Sequence, residues 1–142
     1  MQESWDGGPE SDLGGGPGPA DEQLVRIETA RRAYSAGMAL VVTVTGEIDL
    51  LTIDRLRAAV AAGFEDLRDG EILVIDLTPV TFMDSRGLQA LVDATQAAQQ
   101  QREPLRIVVD HTRPVVRPIQ VTGLDNVLAL FNTVEDAVHA PL

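Results

Sequence analysis

Val74-Ile75-Asp76-Leu77-Thr78-Pro79-Val80-Thr81-Phe82-Met83-Asp84-Ser85-Arg86-Gly87-Leu88 is the stretch on which the fold of this chain turns. With Ile72 and Leu73 in front of it, residues 72–77 form a nearly unbroken apolar run, the mark of a strand buried on both faces. Beyond it, Leu88, Leu91, Val92, Thr95 and Ala98 fall on one side of a helix expected over residues 85–101. The stretch therefore leaves a buried strand, passes Pro79 and enters a helix at Asp84-Ser85.

Upstream, Ile53, Leu56, Val60, Phe64 and Leu67 recur at spacings of three and four, so a helix is expected there, capped by Thr52 and ended by Asp69-Gly70. Before that helix, residues 24–28 alternate weakly and residues 38–44 form a stronger, β-branched strand closed by Gly46. Residues 30–37 read as the connection between these two antiparallel strands.

Downstream, residues 105–109 are another short strand. Residues 113–122 have helical spacing but contain Pro114 and Pro118; the second would remove a hydrogen bond and kink the element. Gly123 is a helix terminator, residues 128–131 a last short strand, and Thr133-Val134-Glu135-Asp136 a capping box opening a terminal helix. The order β-β-α-β-α-β-α-β-α implies an α/β fold, a mixed, mostly parallel sheet with about four helices packed on it.

The 142 residues suffice for one domain with one core. Residues 1–23 differ from the rest: they carry Gly14-Gly15-Gly16-Pro17-Gly18-Pro19 and six acids with no base, and are expected to be a disordered acidic tail before a domain at 24–142. Trp5 is the one large aromatic in that tail. No run of 18 apolar residues and no basic-then-apolar leader is present, so the chain is expected to be cytoplasmic with no membrane span.

Composition narrows the chemistry. There is no cysteine and no lysine, which excludes thiol chemistry, Schiff bases and the lysine of a phosphate-binding loop. His111 and His139 alone are poor material for a metal centre or a histidine triad, and no cofactor is expected. The net charge of −11 repels phosphate backbones, so direct nucleic-acid binding is not expected, and a partner with a basic face is.

At the central turn, Asp84 and Ser85 are both helix-capping residue types, and only one can occupy the cap. If Asp84 takes it, the Ser85 hydroxyl points outward from the positive end of a helix. Gly87 in the first helical turn is unfavourable by roughly 1 kcal/mol relative to alanine, so it marks a close approach by another backbone or a partner. A phosphate on Ser85 would add about −1.5 to −2 charge beside Asp84. The helix N-terminus would tolerate that charge, whereas a partner surface shaped for a neutral serine would not. Arg86 could pair with such a phosphate or serve as a solvated contact. No Gly-x-Ser-x-Gly elbow surrounds Ser85, and catalysis is not expected.

Met83-Asp84-Ser85-Arg86-Gly87-Leu88, preceded by Val74-Ile75-Asp76-Leu77, resembles the phosphorylation segment of STAS-domain anti-sigma factor antagonists. Gly46-Glu47-Ile48-Asp49, followed by Thr52 and Leu56, is similar to that family's strand-to-helix junction. Gly123-Leu124-Asp125, with Leu128, Phe131 and Glu135-Asp136-Ala137, matches its C-terminal end.

The resemblance implies a STAS fold and a role in transcription regulation by partner switching, in stress responses among others. It implies binding to an anti-sigma factor with serine kinase activity, which phosphorylates Ser85 and so ends the binding, and a PP2C-type phosphatase that restores it. It puts Asp49, Thr52, Asp84, Ser85, Arg86 and Gly87 on the partner-binding face. Arg86 departs from the small hydroxyl residue common there, and the acidic tail is extra. The competing expectation is a STAS adaptor or scaffold, in a stressosome or beside a transporter, independent of Ser85.

Overall fold

The computed structural model describes residues 25–113, 119, 123 and 128–140. Its elements are β1 (Val25–Tyr34), β2 (Gly37–Ile48), α1 (Ile53–Asp66), β3 (Ile72–Asp76), β4 (Val80–Met83), α2 (Ser85–Gln101), β5 (Leu105–Val108), β6 (Leu130–Phe131) and α3 (Val134–His139). The strands form one sheet in the order β1-β2-β3-β5-β6, with β4 beside β2. Only β1 and β2 are antiparallel; every other pairing is parallel. The mixed, mostly parallel sheet expected from the sequence is the one observed.

Alternation along the strands divides the interior into two layers. Leu40, Val42, Val44 and Ile48 of β2 face one side, together with Leu73, Ile75, Leu77, Leu105 and Ile107. Against them lie Ile53, Leu56 and Val60 of α1 and Leu88, Leu91, Ala94 and Ala98 of α2. Ala39, Val41, Ile72, Val74 and Val108 face the other side, where α3 covers them with Ala137 and Val138. Among the described residues there are three helices. The helix expected over residues 113–122 and the tail at 1–23 lie outside the described residues, although Ile119 is itself buried in the larger core.

Three sequence expectations are corrected. Residues 30–37 are not a long connection: β1 and β2 pair without a break from Val25↔Gly46 to Tyr34↔Gly37, and only Ser35 and Ala36 turn the chain. Gly46 does not close β2. It sits at φ +112 where the pairing with β4 shifts register, and the strand continues to Ile48. Residues 80–83 do not simply lead into the helix but form β4, which pairs Val80 with Gly46, Phe82 with Glu47 and Met83 with Ile48. A β-bulge of this kind lets β2 hold β3 along one part of its length and β4 along the next.

The end of the sheet that begins β2 and β3 is tied by side chains. Glu71 is buried; it accepts from Arg31 Nε at 2.6 Å and from the Arg68 amide at 2.8 Å, while Arg31 also donates to the Asp66 carbonyl at 2.7 Å. The bond from Arg31 holds the Glu71 carboxyl below its ordinary value. Arg106 is buried as well. It donates to the Ala137 and Ala140 carbonyls at the end of α3 and lies over the Phe131 ring at 5.5 Å. Desolvation lowers its pKa, and the carbonyls and ring replace the water it lost.

Candidate functional site

At the opposite end of the sheet two strands finish side by side. Ile48 and Met83 are register partners on parallel strands, and the Asp84 amide donates to the Ile48 carbonyl at 3.1 Å. The segment after β2 and the start of α2 are thereby held on one end of the molecule. Of the expected site residues, Asp49 and Thr52 come from the first, and Asp84, Ser85, Arg86 and Gly87 from the second.

Asp84 takes the cap of α2. Its Oδ1 accepts from the Arg86 amide at 2.9 Å, and its carbonyl accepts from the Gly87 and Leu88 amides. Ser85 is therefore the first helical residue. It is exposed, and its hydroxyl bonds to no described residue. Arg86 is exposed too, and its guanidinium meets Asp84 Oδ2 at 2.9 Å, an ion pair worth about 0–1 kcal/mol at such a surface. An added phosphate on Ser85 would sit at the positive end of a 17-residue helix, beside one acid and one base.

Gly87 is buried, and the close approach its sequence position implied comes from the chain itself. A Cβ there would stand 2.3 Å from Met83 Cγ and 3.0 Å from Ile48 Cγ2. Glycine is thus what lets α2 start directly against the ends of β2 and β4. Its part in any binding face is to set the position of Ser85.

Thr52 also acts from beneath. It stands at the N-cap position of α1, yet its side chain makes no capping bond, contrary to the sequence expectation. Instead it is fully buried, donates to the Glu47 carbonyl at 2.8 Å and accepts from the Asp49 amide at 3.0 Å. Asp49 is half-buried. Its Oδ1 accepts from the Leu51 amide at 2.9 Å, and its carbonyl accepts from Thr52 and Ile53. These bonds fix the four-residue link between β2 and α1.

Sequence reasoning missed the apolar residues here. Leu50 and Leu51 are 65% and 64% exposed, and Phe82 is 49% exposed. A signal was present: a Leu-Leu pair between Asp49 and Thr52, in a link too short to bury it, has no place in either helical or strand periodicity.

Among the described residues no cluster of His, Asp and Glu could hold a metal, and no helix is long and apolar enough to cross a membrane. His139 bonds to Ser35 and to the Glu135 carbonyl at the far end of β2, not to Ser85. This end presents an exposed hydroxyl with no described partner on a capped helix start, beside a loop held by its own hydrogen bonds.

A parallel sheet end of this form defines a small α/β module, and the family follows from comparison. The STAS domain profile matches residues 30–137, and the chain belongs to the STAS domain family. It is 36% identical over 98 residues to the anti-sigma-F factor antagonist RsfB of Mycobacterium tuberculosis, covering 69% of this chain and 77% of that protein. It is 32% identical over 89 residues to the anti-sigma-B factor antagonist of Listeria monocytogenes, covering 63% and 75%. A solved anti-sigma factor antagonist from Mycobacterium paratuberculosis superimposes with a TM-score of 0.65 at 33% identity, over 80% of this chain and 92% of the other.

Proposed function

We propose that this chain is an anti-sigma factor antagonist: unmodified, it binds an anti-sigma factor with serine kinase activity and so releases a sigma factor. Phosphorylation of Ser85 by that kinase ends the binding, and a PP2C-type phosphatase restores it. The observation that carries the reading is the division of labour at α2. Asp84 caps the helix, so the exposed Ser85 hydroxyl has no structural duty and is open to a kinase. The curated relatives named as antagonists support the same reading.

Asp49, Asp84, Ser85 and Arg86 supply the polar contact face, while Thr52 and Gly87 hold it from below. A phosphate on Ser85 leaves the fold intact, because a helix N-terminus favours negative charge. It ends binding because the partner, shaped for a neutral hydroxyl, meets like charge and a desolvation penalty of several kcal/mol.

The test is incubation of the chain with kinase-type anti-sigma factors and ATP, phosphosite mapping, and titration calorimetry. The expected results are complex formation by the unmodified chain, phosphate on Ser85 alone, and binding weakened about 100-fold or more in Ser85→Asp. Equal binding by Ser85→Asp, or phosphate elsewhere, would overturn the switch.

A further inference from the structure

Four large apolar residues are exposed among the described ones, and their distribution is uneven. Met38 lies at the start of β2, whereas Leu50, Leu51 and Phe82 all lie at the end that carries Ser85. Single exposed apolar side chains need no explanation; two neighbouring leucines on one short link mark a contact surface.

The link bearing the two leucines is also rigid. Thr52 Oγ1 joins the Glu47 carbonyl and the Asp49 amide, Asp49 Oδ1 holds the Leu51 amide, and the Asp49 carbonyl takes the amides of Thr52 and Ile53. Folding therefore presents Leu50 and Leu51 in fixed positions, and no ordering penalty for this backbone is left to be met on binding. Phe82 is exposed at this end too, but it alternates with the core-facing Met83 and so points to the other face of the sheet.

The charges nearby say what covers it. Glu47, Asp49, Asp54 and Asp84 lie in the segments that carry these residues, against two bases, Arg86 paired with Asp84 and Arg55 donating to the Val25 carbonyl, so acids outnumber bases there. A second copy of the chain would bring the same acids face to face, against a net charge of −11 per chain. An anionic lipid surface is disfavoured for the same reason. A protein pocket with an apolar floor and a basic rim satisfies both the leucines and the acids.

We propose that Leu50 and Leu51 are an apolar anchor that enters a basic-rimmed apolar pocket on the anti-sigma partner. This rests on the functional reading above and divides the interface into two parts. The anchor supplies affinity, and Ser85 beside it supplies control. Phosphorylation leaves the anchor intact, so the anchor and the switch contribute separately.

The experiment measures binding of the full chain to the kinase-type anti-sigma factors by calorimetry, for wild type, Leu50→Ala, Leu51→Ala and Met38→Ala. Each leucine substitution is expected to weaken binding about tenfold or more, and Met38→Ala to leave it unchanged. Thermal unfolding should be unaffected by the leucine changes, because both side chains are already mostly in water.

In the Ser85→Asp background, Leu51→Ala should lower the residual affinity by a similar factor. Wild-type affinity in both leucine variants overturns the anchor and leaves the functional reading standing. Self-association of the wild type that Leu51→Ala abolishes overturns the assignment of the occupant. A wild-type chain that binds none of the anti-sigma factors overturns the functional reading and the occupant together.

Discussion

Two junctions leave neighbouring strand ends at the same edge of the molecule, and they are built differently. After β2 the chain reads Ile48-Asp49-Leu50-Leu51-Thr52-Ile53; after β4 it reads Met83-Asp84-Ser85-Arg86-Gly87-Leu88. Each begins with a buried apolar residue and an aspartate whose Oδ1 takes an amide two residues on. In the first, the helix is delayed by a four-residue link pinned from inside by Thr52. In the second it starts at once, because Gly87 lets α2 come down onto Met83 and Ile48. One junction holds out apolar surface and the other holds out a hydroxyl. The lesson is that a similar aspartate turn can present opposite chemistries, depending on which buried residue anchors it.

Three substitutions break this comparison, in decreasing order of effect on stability. Gly87→Ala places a methyl into Met83 and Ile48, and the overpacking is expected to destabilise the fold by about 1–3 kcal/mol, outweighing alanine's roughly 1 kcal/mol helical advantage. Denaturant unfolding would measure it, and a stabilised variant would show that the junction does not need the close approach.

Thr52→Val keeps the shape of the pin but leaves the Glu47 carbonyl and the Asp49 amide without their partner, a loss of about 1–2 kcal/mol. Amide hydrogen exchange at Asp49 should rise with it. Unchanged exchange there would mean that the link is held by its backbone bonds alone.

Asp84→Ala removes the cap of α2 and should cost about 1 kcal/mol in unfolding experiments. It also sharpens the comparison. If Ser85 then moves into the cap, its phosphorylation by the kinase should slow more than the small loss of stability explains. Undiminished phosphorylation would show that the cap residue does not keep Ser85 available.

The particular residues show what was legible and what was not. The span of α2 is visible in the spacing of Leu88, Leu91 and Ala98, and the structure begins and ends it where that spacing does. The terminal helix is equally legible, since Thr133 accepts from the Asp136 amide as its capping signal required. The buried strand at 72–76 follows from its unbroken apolar run. By contrast, β4 carries four residues after a proline, with no helical period, and it becomes a strand only because the end of β2 lies alongside.

The sequence alone determined the initial strand pair, the strands near 72–76 and 105–108, the helices that follow Thr52, Asp84 and Thr133, and the presence of a serine at the start of α2. These are local properties, written in periodicity and capping chemistry within a few residues. Tertiary structure decided that Gly46 bends β2 without ending it, that Thr52 turns inward, and that Asp84 takes the cap and frees Ser85. Thr52 turns inward onto Glu47 and Asp49, close by in the chain, whereas the bend at Gly46 and the seating of Asp84 against Ile48 depend on a strand some 35 residues away, through the pairing of β2 with β4. No local pattern reports such a contact. The physical reason is that hydrogen bonds between distant segments, and the packing around them, select among conformations that the local sequence leaves nearly equal.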